Sequence, residues 1–571
     1  MTYILGINSV YHESSACIIK DGKMIAAAEE ERFNRIKHAK EARVDNADEL
    51  PLNAIDFCLK KAGITLADVE HVGYSFNPEK RLQKNKEHTH PYDIAPGDFG
   101  TIKGEQIFFQ KNKNVETKIR EQGFRGTFSY LDHHDCHAAS SFFVSRFDDA
   151  AVLVIDGIGE FETTTMYKGR GNKLEKLELI EFPHSLGFLW EKMCKYLGFT
   201  EYDACKVMGL ASYGDAAAYR QAFERFVQIE NDGHFTIDDR ITQFRNDSFE
   251  NLESLFGLDK RTEPVKDVTS MTQKYADVAA ALQNITEEIV IKLARTAKEK
   301  TGSKKLCLSG GVALNCVTNG KLLEEKLFDD IFIQPAASDA GTSLGAAYYI
   351  WNQLLDKPRE YVFKSPFLGP VYTEQQIKQA LDSNRLTYTR VDAPQTAARL
   401  LTDGNLVAWF QGAMELGPRA LGNRSLLCDP RRKDAVALLN HKVKHREPFR
   451  PFCPSVLAEK ASEWFDVDNV SMSEYMLGAF RVLPSRKEII PAVVHVDDTA
   501  RIQAVEKETN TKYHALISAF EKLTGVPVLL NTSFNDSEPI VCSPQDAINT
   551  FLKTQIDYLL MGDFLVSRGE V

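Results

Sequence analysis

His133 and His137 stand four residues apart in His133-His134-Asp135-Cys136-His137, while Asp156 and Asp339 follow the apolar runs 151–155 and 331–335. If the histidines enter a helix they share one face, and two imidazoles so placed can hold one metal ion. Carboxylates just past strand ends lie where open α/β sheets gather ligands. His133, His137, Asp156 and Asp339 therefore form a candidate metal set. Taken singly, each has a plain structural reading as a helix-capping histidine or a turn aspartate; together they favour a metal. The donor set suits iron(II), zinc or manganese.

A second constellation is basic. Between Arg419 and Arg450 nine lysines and arginines face three acids, Asp429, Asp434 and Glu447. In a chain of net charge −11 that local excess points to an anionic small molecule. Arginine forks match phosphate and carboxylate oxygens, and lysine adds point charge. No Gly-x-x-x-x-Gly-Lys-Ser/Thr occurs, so phosphate binding here must rely on side chains. Lys444, Arg446 and Arg450 alternate with apolar and proline residues and are expected to share one strand face. Arg431-Arg432-Lys433 after Pro430 reads as a solvated turn. Ser309-Gly310-Gly311, closing a strand, lets backbone amides approach a nucleotide, which alone is a weak signal.

The elements that must position these residues can be read from periodicity. Residues 3–8, 15–20 and 24–28 predict a meander of strands turned by Asp21-Gly22. His12 falls in its first loop, at the mouth of a sheet. A second meander begins at Ala151 and continues into 163–167, so the first half of the chain reads as a duplicated lobe. Residues 272–301 keep helical spacing up to Gly302, and residues 74–90 are expected to be a surface loop. Three prolines in 356–371 suggest a linker, after which Thr373 and Gln376 form a capping box.

With 571 residues, 43% of them apolar, the chain can build two large cores. It shows no bilayer-length apolar run and no basic leader, and its ten cysteines lack any Cys-x-x-Cys pair. These features predict a cytoplasmic protein without a membrane partner. The acidic balance speaks against nucleic acid.

Ten motifs, in order, resemble the O-carbamoyltransferase family of nodulation-factor and antibiotic-modifying enzymes. They are Tyr11-His12-Glu13-Ser14-Ser15, 29–38, His133-His134-x-x-His137, Asp156-Gly157, 206–210, Ser309-Gly-Gly, Ser338-Asp339, 417–425, Lys444 to Phe452, and Asn531-Thr-Ser533-Phe-Asn535. The resemblance covers nearly the whole chain. It implies an α/β domain of the actin-like ATPase fold over 1–355, a linker over 356–371, and an α+β, YrdC-like domain over 372–571.

It further implies that the second domain makes carbamoyl-adenylate from carbamoyl phosphate and ATP, with Mg2+, using Arg419, Arg424, Lys444, Arg450, Arg501, Asn531 and Ser533. The first domain would then pass the carbamoyl group to a hydroxyl of a small molecule. There His12 would be the base, Lys37 would orient phosphate or carbamoyl, and iron(II) would sit on the metal set. Lys206, Gly209, Ser309, Gly310, Gly311 and Asn315 would line the nucleotide. Cys205 stands where many relatives have glycine. Two rivals are carbamoyl transfer to a macromolecule and a non-catalytic actin-like scaffold. The acceptor's identity and the choice between monomer and homodimer are left open.

Overall fold

The computed structural model describes residues 1–467 and 472–570, in two compact units. Unit 1 holds Met1–Asn34 and His38–Phe363, and unit 2 holds Arg35–Lys37 and Lys364–Val571. The chain passes from one to the other inside the proline-bearing stretch.

Unit 1 is α/β and contains the same lobe twice. In the first lobe the hairpins β1 (Tyr3–Asn8), β2 (Ser15–Lys20) and β3 (Lys23–Glu29) are followed by β4 (His71–Tyr74) and β5 (Thr127–Tyr130). The sheet order is β3-β2-β1-β4-β5, antiparallel across the hairpins and parallel from β1 to β4 to β5. The second lobe has hairpins β6 (Asp149–Ile155), β7 (Glu162–Arg170) and β8 (Lys173–Glu181). A small separate hairpin, β9 (Val227–Ile229) and β10 (Phe235–Ile237), precedes β11 (Lys305–Ser309) and β12 (Asp330–Ile333).

Here the order β12-β11-β6-β7-β8 repeats the first sheet strand for strand and direction for direction. This repeated topology is the duplicated-lobe arrangement of the actin-like class. Central strands β6 and β11 are covered by helices and read as continuous apolar runs, as buried parallel strands do. The helix Gln273–Thr301 packs Ala279, Leu282, Ile285, Ile289 and Leu293 inward at helical spacing.

Residues 74–90 depart from the expected loop. Asn77 caps a helix, Pro78–Glu87, by accepting from Lys80 N at 3.3 Å, and buried Arg81 pairs with Glu105 at 2.7 Å. Proline one residue inside the cap is the sequence signal for that start.

Unit 2 is α+β. Its eight-stranded mixed sheet runs, edge to edge, Thr389–Arg390, Phe564–Ser567, Tyr558–Met561, Val407–Phe410, Arg424–Cys428, Val528–Ser533, Cys453–Leu457 and Gln503–Val505. The Thr373–Gln376 capping box starts its first helix.

Two expectations need correction here. Lys444, Arg446 and Arg450 do not share a strand face: 440–444 form a wide helical turn, His445 adopts a left-handed φ of 45°, and the strand begins only at Cys453. Arg35–Lys37, assigned by sequence to the first domain, belong to unit 2, because Arg35 donates to the carbonyls of Ile540 (2.7 Å) and Pro539 (2.6 Å). Among the described residues no helix is long and apolar enough to cross a membrane.

Candidate functional site

The helix His133–Phe142 follows β5 by a short turn, and the carboxylate of Glu160 receives its first amide, His133 N, at 3.0 Å. Burial pushes Glu160 up to about 7. Both His133 and His137 are fully buried on one face of this helix. Asp156 closes β6, and Asp339 opens the turn that leads from β12 into the helix Thr342–Tyr348.

The four ligand atoms lie within 4.8 Å of one another. His133 Nε2 is 3.4 Å from Asp339 Oδ1 and 3.7 Å from Asp156 Oδ2; for His137 Nε2 the distances are 3.5 and 3.7 Å. These separations exceed ordinary hydrogen bonds, and neither Nε2 hydrogen-bonds to any described residue. Metal bonds of about 2.0–2.2 Å around a tetrahedron would set neighbouring donors about 3.3–3.6 Å apart. The cluster therefore fits a divalent cation.

His133 Nδ1 meets the Ser75 carbonyl at 3.0 Å, so that nitrogen carries a proton and in the neutral imidazole Nε2 offers its lone pair. Burial opposes charge on the imidazoles, yet Asp339 and Asp156 hold His133 well above its ordinary value and raise His137. Burial would raise the carboxyls; the imidazoles instead draw Asp156 and Asp339 below theirs.

The glycine turn buttresses this cluster. Gly310 has φ +91°, and a Cβ there would stand 2.2 Å from the Ile155 carbonyl oxygen, so only glycine lets the turn close on β6. Gly311 N then donates to Asp156 Oδ1 at 2.7 Å, leaving Oδ2 toward the histidines. Ser309 Oγ is buried and donates to the His137 carbonyl. Asn315 caps the helix Cys316–Glu324 and bonds Gln283. Lys206 pairs with Asp203 at 2.9 Å, Gly209 is buried in the same short helix, and Cys205 is exposed.

His12 sits in the β1–β2 turn. Its ring meets Tyr202 edge-on at 5.3 Å, and Tyr202 stacks on His38 at 4.5 Å. Sequence reasoning missed Ser75, Glu160, His38 and Tyr202. His38 lay inside a quoted motif; the others gave no local signal.

In unit 2, Lys444 Nζ reaches the Ser533 carbonyl (2.7 Å), Asn535 O (2.8 Å) and Asn535 Oδ1 (2.6 Å). Burial lowers its pKa well below the usual lysine value, and the charges of Arg446, Arg450 and Lys37 lower it further, against Asp536. Lys37 is thus among the cations whose charge acts on Lys444. Arg450 contacts Glu447 at 3.5 Å. Asn531 Nδ2 donates to Ser455 and Gln503, and its Oδ1 is buried without a hydrogen bond to any described residue. Arg501 turns Nε and Nη2 to Cys453 Sγ at 3.1 and 2.9 Å.

Arg424 is fully buried, donates to the carbonyls of Gln411, Gly412, Asn423, Pro370 and Cys542, and lies 3.8 Å over Phe410. Its neighbour loop, which carries Arg419, is held by Glu415. That carboxylate accepts from Leu421 N (2.8 Å), Asn423 N (2.8 Å) and Arg424 N (3.1 Å), and it too went unread in the sequence.

Comparison with known proteins adds the identity that geometry alone lacks. A carbamoyltransferase N-terminus model matches residues 3–348, and a carbamoyltransferase C-terminus model matches 398–568. An uncharacterised protein of Synechocystis sp. is 38% identical over 612 aligned residues, covering 100% of this chain and 97% of that one. Nodulation protein NolNO of Sinorhizobium fredii is 38% identical over 585 residues, 98% of this chain and 80% of its own. Nodulation protein NolO of Bradyrhizobium diazoefficiens is 42% identical over 450 residues, 77% and 79% of the two chains. Since the two matches together take in both units and most of the length, the chain belongs to the carbamoyltransferase family and is a carbamoyltransferase enzyme.

Proposed function

We propose that this enzyme is an ATP-dependent O-carbamoyltransferase acting in the cytoplasm on a hydroxylated small molecule. Unit 2 makes carbamoyl-adenylate, and unit 1 transfers its carbamoyl group. Carbamate is a poor electrophile, and adenylation gives it a good leaving group. For pyrophosphate to leave, water first cleaves carbamoyl phosphate to carbamate and phosphate. A carbamate oxygen then bonds to the α-phosphorus of Mg-ATP, and pyrophosphate departs. The acceptor oxygen finally attacks the carbamoyl carbon, AMP leaves, and the hydroxyl proton passes to a base.

The reading rests above all on two buried imidazoles facing two carboxylates in unit 1, together with the Lys444 ammonium of unit 2, on which the charges of Arg446, Arg450 and Lys37 act. Lys444, Lys37 and Arg450 would hold phosphate oxygens and offset the charge that builds as pyrophosphate leaves. Arg419, Arg501, Asn531 and Ser533 would complete that site, with Arg424 positioning the strand and loop that carry them. In unit 1, Lys206, Gly209, Ser309, Gly310, Gly311 and Asn315 would shape the nucleotide end, and His12 would take the acceptor proton. His133, His137, Asp156 and Asp339 would hold iron(II), which when bound supplies Lewis-acid polarisation of an adenylate oxygen.

The test incubates purified protein with ATP and carbamoyl phosphate and no acceptor. Pyrophosphate release together with carbamoyl-adenylate in the mass spectrum is the expected result. Metal-replete protein that yields neither would overturn the two-step reading.

A further inference from the structure

Three consecutive residues of the β1–β2 turn each hold a buried polar atom with no hydrogen bond to any described residue: His12 Nδ1, Glu13 Oε2 and Ser14 Oγ. Buried polar groups are nearly always paired, and a run of three orphans marks a place where something else binds. The turn lies against the metal-type cluster. The Tyr11 ring is 6.4 Å from that of His133, and Ser15 Oγ donates at 2.8 Å to the carbonyl of Ala340, the neighbour of Asp339.

Glu13 is fixed with care. Its φ is +52°, an uncommon conformation for a residue with a Cβ, and its amide donates to the His38 carbonyl at 2.7 Å. One carboxylate oxygen, Oε1, is 3.4 Å from His38 Nδ1, and that ring is backed by Tyr202. The other oxygen is the orphan. Burial alone would neutralise the carboxyl, but the His38 contact and the nearby His12 keep its pKa below the usual glutamate value.

A carboxylate oxygen only accepts, so its missing partner is an N–H or O–H. The group to be transferred brings such a donor: a carbamoyl carries –NH2 where an acetyl carries –CH3. We infer that Glu13 is the specificity-determining residue for the donor, its Oε2 accepting an N–H of the carbamoyl amide, with the orphan Ser14 Oγ offering a second polar contact. This rests on the adenylate-transfer reading above. An acetyl group in the same place would leave Glu13 Oε2 buried without a hydrogen bond.

Two stable mimics differ only in that group: 5′-O-(N-carbamoylsulfamoyl)adenosine and its N-acetyl counterpart. Both are titrated calorimetrically into the full-length chain carrying Lys444→Met, which removes the central cation of unit 2 so that binding reports unit 1. The carbamoyl mimic should bind roughly 10- to 100-fold tighter, as one charge-assisted hydrogen bond gives. Adding Glu13→Ala should abolish the preference, with the carbamoyl mimic weakened and the acetyl mimic bound at least as tightly as before. Glu13→Gln, which keeps the length and an accepting oxygen, should show an intermediate ratio. If either variant keeps the full preference, Glu13 does not read the amide. If Glu13→Ala binds neither mimic, the Gln variant decides. Failure of the wild-type chain to release pyrophosphate from ATP and carbamoyl phosphate would instead refute the adenylate reading, so the two failures are distinguishable.

Discussion

Gly345 sets the spacing of the candidate metal ligands without being one of them. It lies on the helix Thr342–Tyr348, four residues past the turn that presents Asp339, where that helix crosses the helix bearing His133 and His137. A Cβ at Gly345 would stand 1.8 Å from the carbonyl oxygen of Cys136, the residue before His137, and contacts under 3.0 Å are essentially never seen. In Gly345→Ala the two backbones must therefore separate by at least about 1.2 Å, several times the roughly 0.2 Å that a metal site tolerates in its bond lengths.

The His–Asp339 separations of 3.4 and 3.5 Å would open accordingly. Overpacking of this kind costs about 1–3 kcal/mol and lowers the melting temperature by a few degrees. Metal affinity should fall about 10- to 100-fold or beyond, because both histidines and Asp339 move relative to one another. The assay titrates anaerobic iron(II) and zinc(II) into apoprotein and follows metal content and calorimetric unfolding together. A Gly345→Ala chain that melts lower yet binds one metal with wild-type affinity would refute the idea that this crossing fixes the site.

Asp339→Ala should lose metal and carbamoyl transfer while still releasing pyrophosphate; full metal content in this variant removes the ligand assignment. Arg450→Ala should slow pyrophosphate release by about 100-fold or more with metal content unchanged, and an unaffected rate would place adenylation elsewhere. Arg424→Met strands several buried carbonyls at once and should cost about 3 kcal/mol or more in chemical unfolding; a loss below about 1 kcal/mol contradicts the hydrogen bonds assigned to it. In apoprotein, the raised His133 and His137 contribute stability that is complete below the unfolded value of 6.5 and fades as pH rises through their folded values. The lowered Asp156 and Asp339 contribute stability present above 3.8 that fades as pH falls through theirs. A bound cation needs neutral imidazoles, so the melting-temperature gain from metal should grow between pH 6 and pH 9, and a gain that shrinks over this range would be inconsistent with histidine ligation.

What the sequence made legible was local. The strand-closing Asp156, the i, i+4 histidines, the Asp21-Gly22 turn and the Thr373–Gln376 capping box all carry their cause within a few residues. The contacts that escaped lie far apart in the chain. Arg35 meets the carbonyls of Pro539 and Ile540, more than five hundred residues away, and nothing around Arg35 announces it. Glu415 was unreadable because its partners are backbone amides, which have no residue type. The strand expected for 444–450 failed at His445, whose left-handed backbone breaks an alternation that looked regular. Charge spacing alone did not register that conformational break.

The repeated topology explains why the candidate site residues of unit 1 gather where they do. Each lobe begins with a β-hairpin whose first turn follows the central strand: 9–14 after β1, and 156–161 after β6. The two turns meet, since Tyr11 Oη donates to the Gly159 carbonyl at 2.9 Å. The repeated topology thus brings equivalent corners together. One corner supplies Asp156 to the candidate metal set; the other brings His12, Glu13 and Ser14. The remaining candidate ligands arrive from the ends of other strands, His133 and His137 after β5 and Asp339 after β12, as strand ends do in open α/β sheets. The Tyr11–Gly159 hydrogen bond is then a register pin between the two corners. Tyr11→Phe should leave the metal ligands intact, yet loosen the turn that carries His12 and Glu13. Carbamoyl transfer would fall while metal content stays at the wild-type level, and a parallel loss of both would show that the two corners act as one structural piece.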